Sequence, residues 1–320
     1  MEILNIILII GGLCLFETIS SIDNAIINAE VLTTMGQRAR KWFLTWGLVI
    51  AVFAVRGLLP WVIVWVVNPY LGPIGALTAT FSSDPQIRMA IELSSPMLLA
   101  GGGIFLVFLF FHWLFLEEKN FGLPRAEQFF MKNGVWFYAL ISVILTVVVS
   151  MTVKEDPMVA LGAVVGSTAF FITHGFKQNA EKGEKVLMSQ NNGLSDISKI
   201  LYLEIIDTTF SIDGVLGAFA FTLAVPLILI GNGIGALVVR QLTLSNIDKI
   251  KKYIFLKNGA MYSILILGTI MLLDGLGAEI PQWLSPISTF AIVGYFFYRS
   301  KQAIPAITTP PQPPIVNQVV

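Results

Sequence analysis

Long apolar runs constrain the fold of this chain more than any other feature of its sequence. A helix needs about 20 apolar residues to cross the hydrocarbon core of a bilayer. Runs near or above that length recur along the chain, at 3–33, 42–67, 96–116, 133–153, 157–176, 198–222, 225–241, 256–275 and 284–299. They predict an all-α, polytopic transmembrane helix bundle of about nine spans.

The composition supports a lipid environment. Of the 320 residues, 55% are hydrophobic and only 12% are charged, whereas about 25% are charged in a typical soluble domain. The lipid bilayer is therefore the expected partner. With 20 basic and 20 acidic residues the net charge is zero, so nucleic-acid binding is not expected.

The basic residues indicate an orientation. With nine spans, 17 Lys and Arg residues fall in the segments on one side, while Arg88 and Lys154 fall on the other and Arg56 lies within a span. Because Lys and Arg accumulate in cytoplasmic loops, we expect a multi-pass protein of the cytoplasmic (inner) membrane with its N-terminus outside and its C-terminus inside.

Two segments of the chain resemble each other. Glu17-Thr-Ile-Ser-Ser-Ile-Asp23-Asn24 and Asp207-Thr-Thr-Phe-Ser-Ile-Asp213-Gly214 share two acids at the same spacing and the tripeptide Ser-Ile-Asp. Each is followed by an apolar helix with an arginine, Arg56 or Arg240. Since the two segments are five predicted spans apart, they cross the membrane in opposite directions. Such inverted internal repeats are common in secondary transporters.

These patterns set the predicted domains. A transmembrane transporter domain covers 1–303, with repeat 1 at about 1–67 plus the following helix and repeat 2 at about 198–275. The Pro-rich segment 304–320 is expected to be a disordered cytoplasmic tail.

The acids of the two motifs lie near the middle of predicted spans, where each costs about 2.5–3.5 kcal/mol to insert. Something must offset that cost, such as a bound cation, protons or a water-filled cavity. The acids of each pair are six positions apart in the sequence, which places them about 120° apart around an ideal helix and about 9 Å apart along it. We therefore expect both motif helices to be broken or kinked, near 20–21 and 208–211, so that the acids can face one ion.

Oxygen ligands without cysteine favour hard cations such as Mn²⁺, Ca²⁺ or Mg²⁺. The sequence predicts a metal site in which Asn24 and Glu204 assist the four motif acids Glu17, Asp23, Asp207 and Asp213. Arg56 and Arg240 are candidates for charge compensation or for snorkelling to the membrane surface. Four further residues are candidates for the polar lining: Ser20, Ser21, Asn28 and Ser211.

The remaining polar residues give weaker signals. His112 and His174 are the only histidines and lie far from the motifs in sequence, so a histidine-rich site is not expected. Glu117 and Glu118 are interpreted as solvated loop charges. Asn232 fits a bridge between helices as well as it fits a functional role.

Both motifs resemble the signatures of the TerC family of membrane proteins. ETISSIDNAI at 17–26 is similar to its E-x5-D-N signature, and LEIIDTTFSIDGVLGAFAFT at 203–222 is similar to its second signature. Gly214 and the long connection at 68–95 depart from the family pattern, which suggests a divergent branch. The resemblance implies functional positions at Glu17, Asp23, Asn24, Glu204, Asp207 and Asp213. It also implies export of Mn²⁺ or a related metal ion; the family was named for tellurium resistance.

Three functions are compatible with these patterns. The first is a non-enzymatic secondary transporter that exports Mn²⁺, or else Ca²⁺, with protons as the coupling ion and no permanently bound cofactor. The second is a non-transporting accessory protein of a membrane complex for tellurium or metal-stress resistance, with loops 117–132 and 177–199 as its docking surface. The third, an intramembrane aspartyl protease, lacks the Gly-x-Gly-Asp setting that it needs. The sequence leaves a homo-oligomer open.

Overall fold

The computed structural model describes residues 3–47, 50, 57–78, 85–188, 195–245 and 251–308. These residues form helices joined by short connections, which confirms the predicted all-α bundle. Numbered here in chain order, the α-helices are α1 (Ile3–Ser20), α2 (Ile22–Thr33), α3 (Gln37–Trp42), α4 (Leu58–Val67), α5 (Gly72–Thr78), α6 (Pro85–Leu116), α7 (Pro124–Lys132), α8 (Phe137–Thr152), α9 (Pro157–Met188), α10 (Asp196–Ala218), α11 (Val225–Ser245), α12 (Leu256–Gly275) and α13 (Leu284–Thr308).

The centre of the bundle is α6, which packs between α9 and α12. Small residues allow these helices to approach closely, as is usual in membrane bundles. A Cβ atom on Gly103 would lie 2.9 Å from the Gly268 carbonyl oxygen of α12, and one on Gly101 would lie 2.9 Å from the Gly162 carbonyl oxygen of α9. The long connection predicted at 68–95 is helical in its last part, because α6 begins at Pro85 and runs through Pro96 without a break. Neighbouring helices in a bundle tolerate a proline in this way.

The first predicted span, 3–33, is two helices with a mild interruption at Ser21. The Ser21 amide still donates to the Glu17 carbonyl oxygen at 3.1 Å, and the Ala25 amide donates to the Ser21 carbonyl oxygen at 2.9 Å. The helix is thus interrupted at the predicted position, although helical hydrogen bonds continue across the interruption. The break predicted at 208–211 is wrong, because α10 is continuous from Asp196 to Ala218.

By length and apolar composition, six helices in the described ranges can cross a membrane, or seven if one bent pair counts as a span. The bent pair joins α4 to the segment Pro69–Thr78 at an angle of 107°. Predicted span 42–67 lies partly outside the described residues. Helices α10 and α13 do occupy the predicted spans 198–222 and 284–299, but neither is among the six.

The C-terminal helix α13 continues to Thr308, five residues into the segment predicted to be a tail. Residues 309–320 lie outside the described part of the chain. The predicted loop 117–132 also contains an ordered helix, α7, whose Glu127 is fully buried against α12.

Candidate functional site

The two motif helices lie side by side and run in opposite directions. A Cβ atom on Gly214 would lie 3.1 Å from Glu17 Oε2. Asn24, seven residues after Glu17, donates a hydrogen bond to Asp207, seven residues before Gly214. Beyond these contacts, Lys199 Nζ donates to the Thr34 carbonyl oxygen at 3.0 Å. In these three contacts the residue numbers rise along α1 and α2 as they fall along α10. The two motif helices are therefore antiparallel, as expected of inverted repeats.

A cavity of about 50 Å³ lies where the motifs meet. Its polar lining combines both repeats, because α2, α10 and α11 all contribute side chains. Asp207 Oδ1 accepts hydrogen bonds from Asn24 and, at 3.4 Å, from Asn28 Nδ2. The lining residues are Ser21, Asn24, Ala25, Asn28, Leu32, Phe43, Leu44, Asp207, Ala236, Val239 and Arg240. The volume is enough for water or a single ion.

Several polar atoms around this cavity are buried but not hydrogen-bonded. Asn24 Oδ1, Asn28 Oδ1 and Arg240 Nε have no hydrogen-bond partner among the described residues. Asn24 itself is only 4% exposed. Leaving one such group unsatisfied costs about 1–3 kcal/mol. The two amide oxygens suit a guest that accepts electron pairs from oxygen, whereas Arg240 Nε is a hydrogen-bond donor and does not contribute to such a site.

Glu17 lies next to the cavity and is 1% exposed. Ser21 Oγ donates to Glu17 Oε1 at 2.6 Å. Glycines of two other helices make room for this side chain: Gly214 on α10, and Gly235 on α11, where a Cβ atom would lie 2.7 Å from Glu17 Cβ. The glycine at 214, noted as a departure from the TerC pattern, thus lies against the first acid of the other motif.

Asn232 extends the polar face of α11 inward. It lies one turn before Ala236 and two turns before Arg240, and so on the same side of the helix. It is fully buried, and both of its amide atoms lack a hydrogen-bond partner within the described ranges. The polar face of α11 therefore continues beyond the residues that line the cavity.

Glu204 lies one turn from Asp207 on α10. A Cβ atom on Gly47 would collide with Glu204 Oε1, which is buried and has no hydrogen-bond partner in the described structure. Glu204 thus faces the segment that follows the first motif, much as Glu17 faces the helix that follows the second.

Asp213 lies apart from the cavity. Its Oδ2 atom is 3.9 Å from Lys177 Nζ on α9. The prediction treated Lys177 as a loop residue because the apolar run ends at 176, but α9 continues to Met188. The two acids of the second motif therefore have different partners.

The predicted site is only partly assembled. Asn24, Asn28, Ser21, Asp207 and Arg240 share one cavity, whereas the hydroxyl of Ser211 donates to the Asp207 carbonyl oxygen at 2.6 Å and that of Ser20 to the Glu17 carbonyl oxygen at 3.3 Å. Arg56 and the side chain of Asp23 lie outside the described part. No group of three or more His, Cys, Asp and Glu side chains within that part is placed to hold a metal ion.

A second polar cluster, around His112 and His174, was not predicted from the sequence. The rings of His112 and His174 are 4.0 Å apart between centroids. His112 Nδ1 is 3.3 Å from Glu117 Oε1, and Lys257 Nζ is 3.2 Å from Glu117 Oε2. Although burial opposes it, hydrogen bonding to His112 and the charges of Lys257 and Lys177 hold the Glu117 pKa well below its usual range. Glu117 is therefore not an ordinary solvated loop charge, and the interpretation of this residue as one is wrong.

Comparison with protein families matches residues 22–303 to a family described as a protein of unknown function (DUF475). The chain belongs to the DUF475 family. The match spans the cavity and the histidine cluster of this DUF475 protein and begins just after Glu17. Neither the curated proteins nor the solved structures contain a match. The resemblance of this DUF475 protein to the TerC family stays a prediction.

Proposed function

We propose that this DUF475 protein is a membrane transporter that exports a divalent metal cation. The observation that supports the proposal most strongly is the cavity where the oppositely directed motifs meet. There the Asp207 carboxylate, which accepts hydrogen bonds from Asn24 and Asn28, lies among apolar helices beside two amide oxygens that have no hydrogen-bond partner in the described structure. Such intramembrane polar groups usually mark a substrate or ion pathway.

The ligand chemistry favours Mn²⁺, with Ca²⁺ as the second choice. Carboxylate and amide oxygens are hard ligands, and none of the described residues that line the cavity is a cysteine or histidine. Asp207, Asn24 and Asn28 would contact the ion first. Glu17 and Glu204 provide negative charge on either side of the cavity. The resemblance to the TerC family supports the same metal.

Arg240 fits the role of a counter-charge. It lines the cavity with Asp207, and an arginine beside a carboxylate inside a bilayer lowers the cost of burying both charges. In a transporter, Arg240 would balance Asp207 when no ion is bound and move away when a cation arrives. The empty protein could then change conformation without an uncompensated charge.

The packing of the helices suits alternating access. The first motif helix packs on α11, which follows the second motif, while α10 contacts α4, which follows the first. Motion of one repeat against the other would therefore change both sides of the cavity together. Proton binding to the carboxylates is the proposed source of coupling.

The accessory-protein alternative depends on the loops at 117–132 and 177–199. In the first of these, Glu127 is 0% exposed and accepts hydrogen bonds from Asn258 and Tyr262, so part of that loop faces the bundle and not a partner. We therefore prefer the transporter.

Uptake of Mn²⁺ into proteoliposomes tests the proposal. We expect the wild-type protein to accumulate Mn²⁺ and the Asp207→Asn variant to do so at least about tenfold more slowly, which corresponds to about 1.4 kcal/mol. Glu30→Gln is the matched control, because Glu30 is an exposed acid on α2 outside the cavity. Equal uptake by wild type and Asp207→Asn, or no uptake by either, would reject the transporter and favour the accessory protein.

A further inference from the structure

The cluster around His112 and His174 contains several titratable groups that have no role in the proposed transport site. His112 and Glu117 come from α6 and the residue that follows it, His174 and Lys177 from α9, Asp213 from α10, and Lys257 from α12. Four helices thus direct ionisable side chains to one region. Such a convergence inside an apolar bundle is costly unless the groups interact with one another.

The two imidazoles are held close together, with His112 buried and His174 half-buried. His112 is 8% exposed. The rings are tilted by 56° at a centroid separation of 4.0 Å. Phe137 packs edge-on against His112, and Phe170 stacks against His174. These ring contacts hold both imidazoles in position. A positive charge on one ring therefore acts on the other at short range.

Each imidazole also has a hydrogen-bond partner that suits a change of protonation. His112 Nδ1 faces Glu117 Oε1 at 3.3 Å, and His174 Nε2 faces Gln178 Nε2 at 3.0 Å. A neutral His174 accepts from the Gln178 amide, and a protonated one can donate to the carbonyl oxygen of the same amide after it rotates. Gln178 can therefore serve both forms.

We propose that His112 and His174 form a proton-binding pair that holds one proton at a time, with Glu117 as its counter-ion. The rings are close enough for a charge on one to oppose a charge on the other. A second proton is opposed by the first and by Lys177 and Lys257, whereas Glu117 and Asp213 favour the first.

The pair is separate from the cation cavity but is connected to it through α10. The charge of Lys177 acts on His174, and Lys177 Nζ is also 3.9 Å from Asp213 Oδ2. Asp213 is on the same helix as Asp207. Charging the pair would change the electrostatic environment of Lys177 and hence its pairing with Asp213. This coupling role rests on the proposed transport function, whereas the proton-binding pair itself does not.

The chain is well suited to a direct test, because it contains only two histidines. The full-length protein, purified in lipid nanodiscs through a histidine-free tag and labelled with ¹⁵N-histidine, gives signals from these two rings alone. We expect coupled titration, in which both rings respond in two steps separated by more than about one pH unit. In His112→Gln or His174→Gln, the remaining ring should titrate in a single step.

The controls separate this pair from a general effect of mutation. Glu117→Gln should shift both steps, whereas Glu118→Gln, at the exposed neighbouring acid, should shift neither. The pair is disproved if each ring titrates in one step that is unchanged when the other ring or Glu117 is removed.

A transport arm tests the coupling role alone. In proteoliposomes, His174→Gln should bind Mn²⁺ like the wild type but lose the dependence of uptake on an imposed pH gradient. Undiminished dependence on the gradient would overturn the coupling role. If the wild type does not transport Mn²⁺, the proposed function and the coupling role both fail, while the ¹⁵N titration still decides whether the proton-binding pair exists.

Discussion

At the scale of single residues, the cavity depends on hydrogen bonds between helices, because Asn24 and Asn28 of α2 both donate to Asp207 of α10. Asn24 and Asn28 were predicted from their positions in the motif and its polar lining, and both lie in the cavity. That they donate to Asp207 could not be predicted, because the relative depth of two helices depends on their packing. Asp213 was predicted to share the metal site, but it pairs with Lys177 instead. That pair was not predicted, because the apolar run ends at 176 and Lys177 was assigned to a loop.

Glu127 gives a prediction at this scale. It is fully buried and accepts hydrogen bonds from Asn258 Nδ2 at 3.1 Å and Tyr262 Oη at 3.2 Å. Glu127→Ala leaves both donors without an acceptor, so we expect the free energy of unfolding to fall by about 1–3 kcal/mol. Thermal unfolding in detergent measures the change.

The control for this prediction is Glu118→Ala, a neighbouring exposed acid whose loss should change the stability by less than about 0.5 kcal/mol. Equal melting temperatures for the two variants would show that Glu127 does not hold α7 to the bundle.

At the scale of the elements, apolar runs predicted the helices well and their breaks less well. The interruption at Ser21 was predicted from hydroxyls that can bond to the backbone, and it is present. The same reasoning failed in α10, where the hydroxyl of Ser211 bonds to the Asp207 carbonyl oxygen within an unbroken helix. The sequence shows that a hydroxyl is available to hydrogen-bond a backbone group. It does not show whether the packing of neighbouring helices allows the helix to break there.

The contact between α1 and α11 leads to a prediction about an element. A Cβ atom on Gly235 would lie 2.7–2.9 Å from Glu17 Cβ, Glu17 Cγ and the Cys14 carbonyl oxygen. Gly235→Ala must therefore push α1 away from α11, and overpacking of this kind costs about 1–3 kcal/mol. We expect a lower melting temperature and weaker Mn²⁺ binding.

Gly294 provides the matched comparison because it also lies within a helix, α13, but a Cβ atom there meets nothing within 4 Å. Gly294→Ala should be neutral or stabilising by up to about 1 kcal/mol, since alanine favours the helix. If Gly235→Ala behaves in the same way, the close approach of α1 and α11 is wrong.

At the scale of the whole molecule, the bundle and the opposite directions of the motifs were predictable, but the second cluster was not. Apolar length and the repeated acids are local patterns. The meeting of His112 and His174 depends on how α6 and α9 pack. A usable signal was present, because both histidines lie near the ends of apolar helices.

The predicted orientation can be tested across the whole bundle. Glu118 and Glu155 are exposed and lie beyond opposite ends of α8. In a Cys14→Ala background, we expect a membrane-impermeant maleimide to label Glu155→Cys from outside intact cells, because the basic loops should face the cytoplasm. Glu118→Cys should react only after permeabilisation. The reverse pattern would place the N-terminus inside.

Calorimetric titration of Mn²⁺ into the purified protein tests the central claim most directly, namely that the cavity between the two motifs binds a divalent cation. The account predicts one Mn²⁺ site in the wild type, unchanged affinity in Glu30→Gln, and at least about tenfold weaker binding in Asp207→Asn, or about 1.4 kcal/mol. Titrations of Ca²⁺ and Mg²⁺ would rank the cations. Wild-type affinity for Mn²⁺ in Asp207→Asn, or no binding to the wild type, would contradict the account.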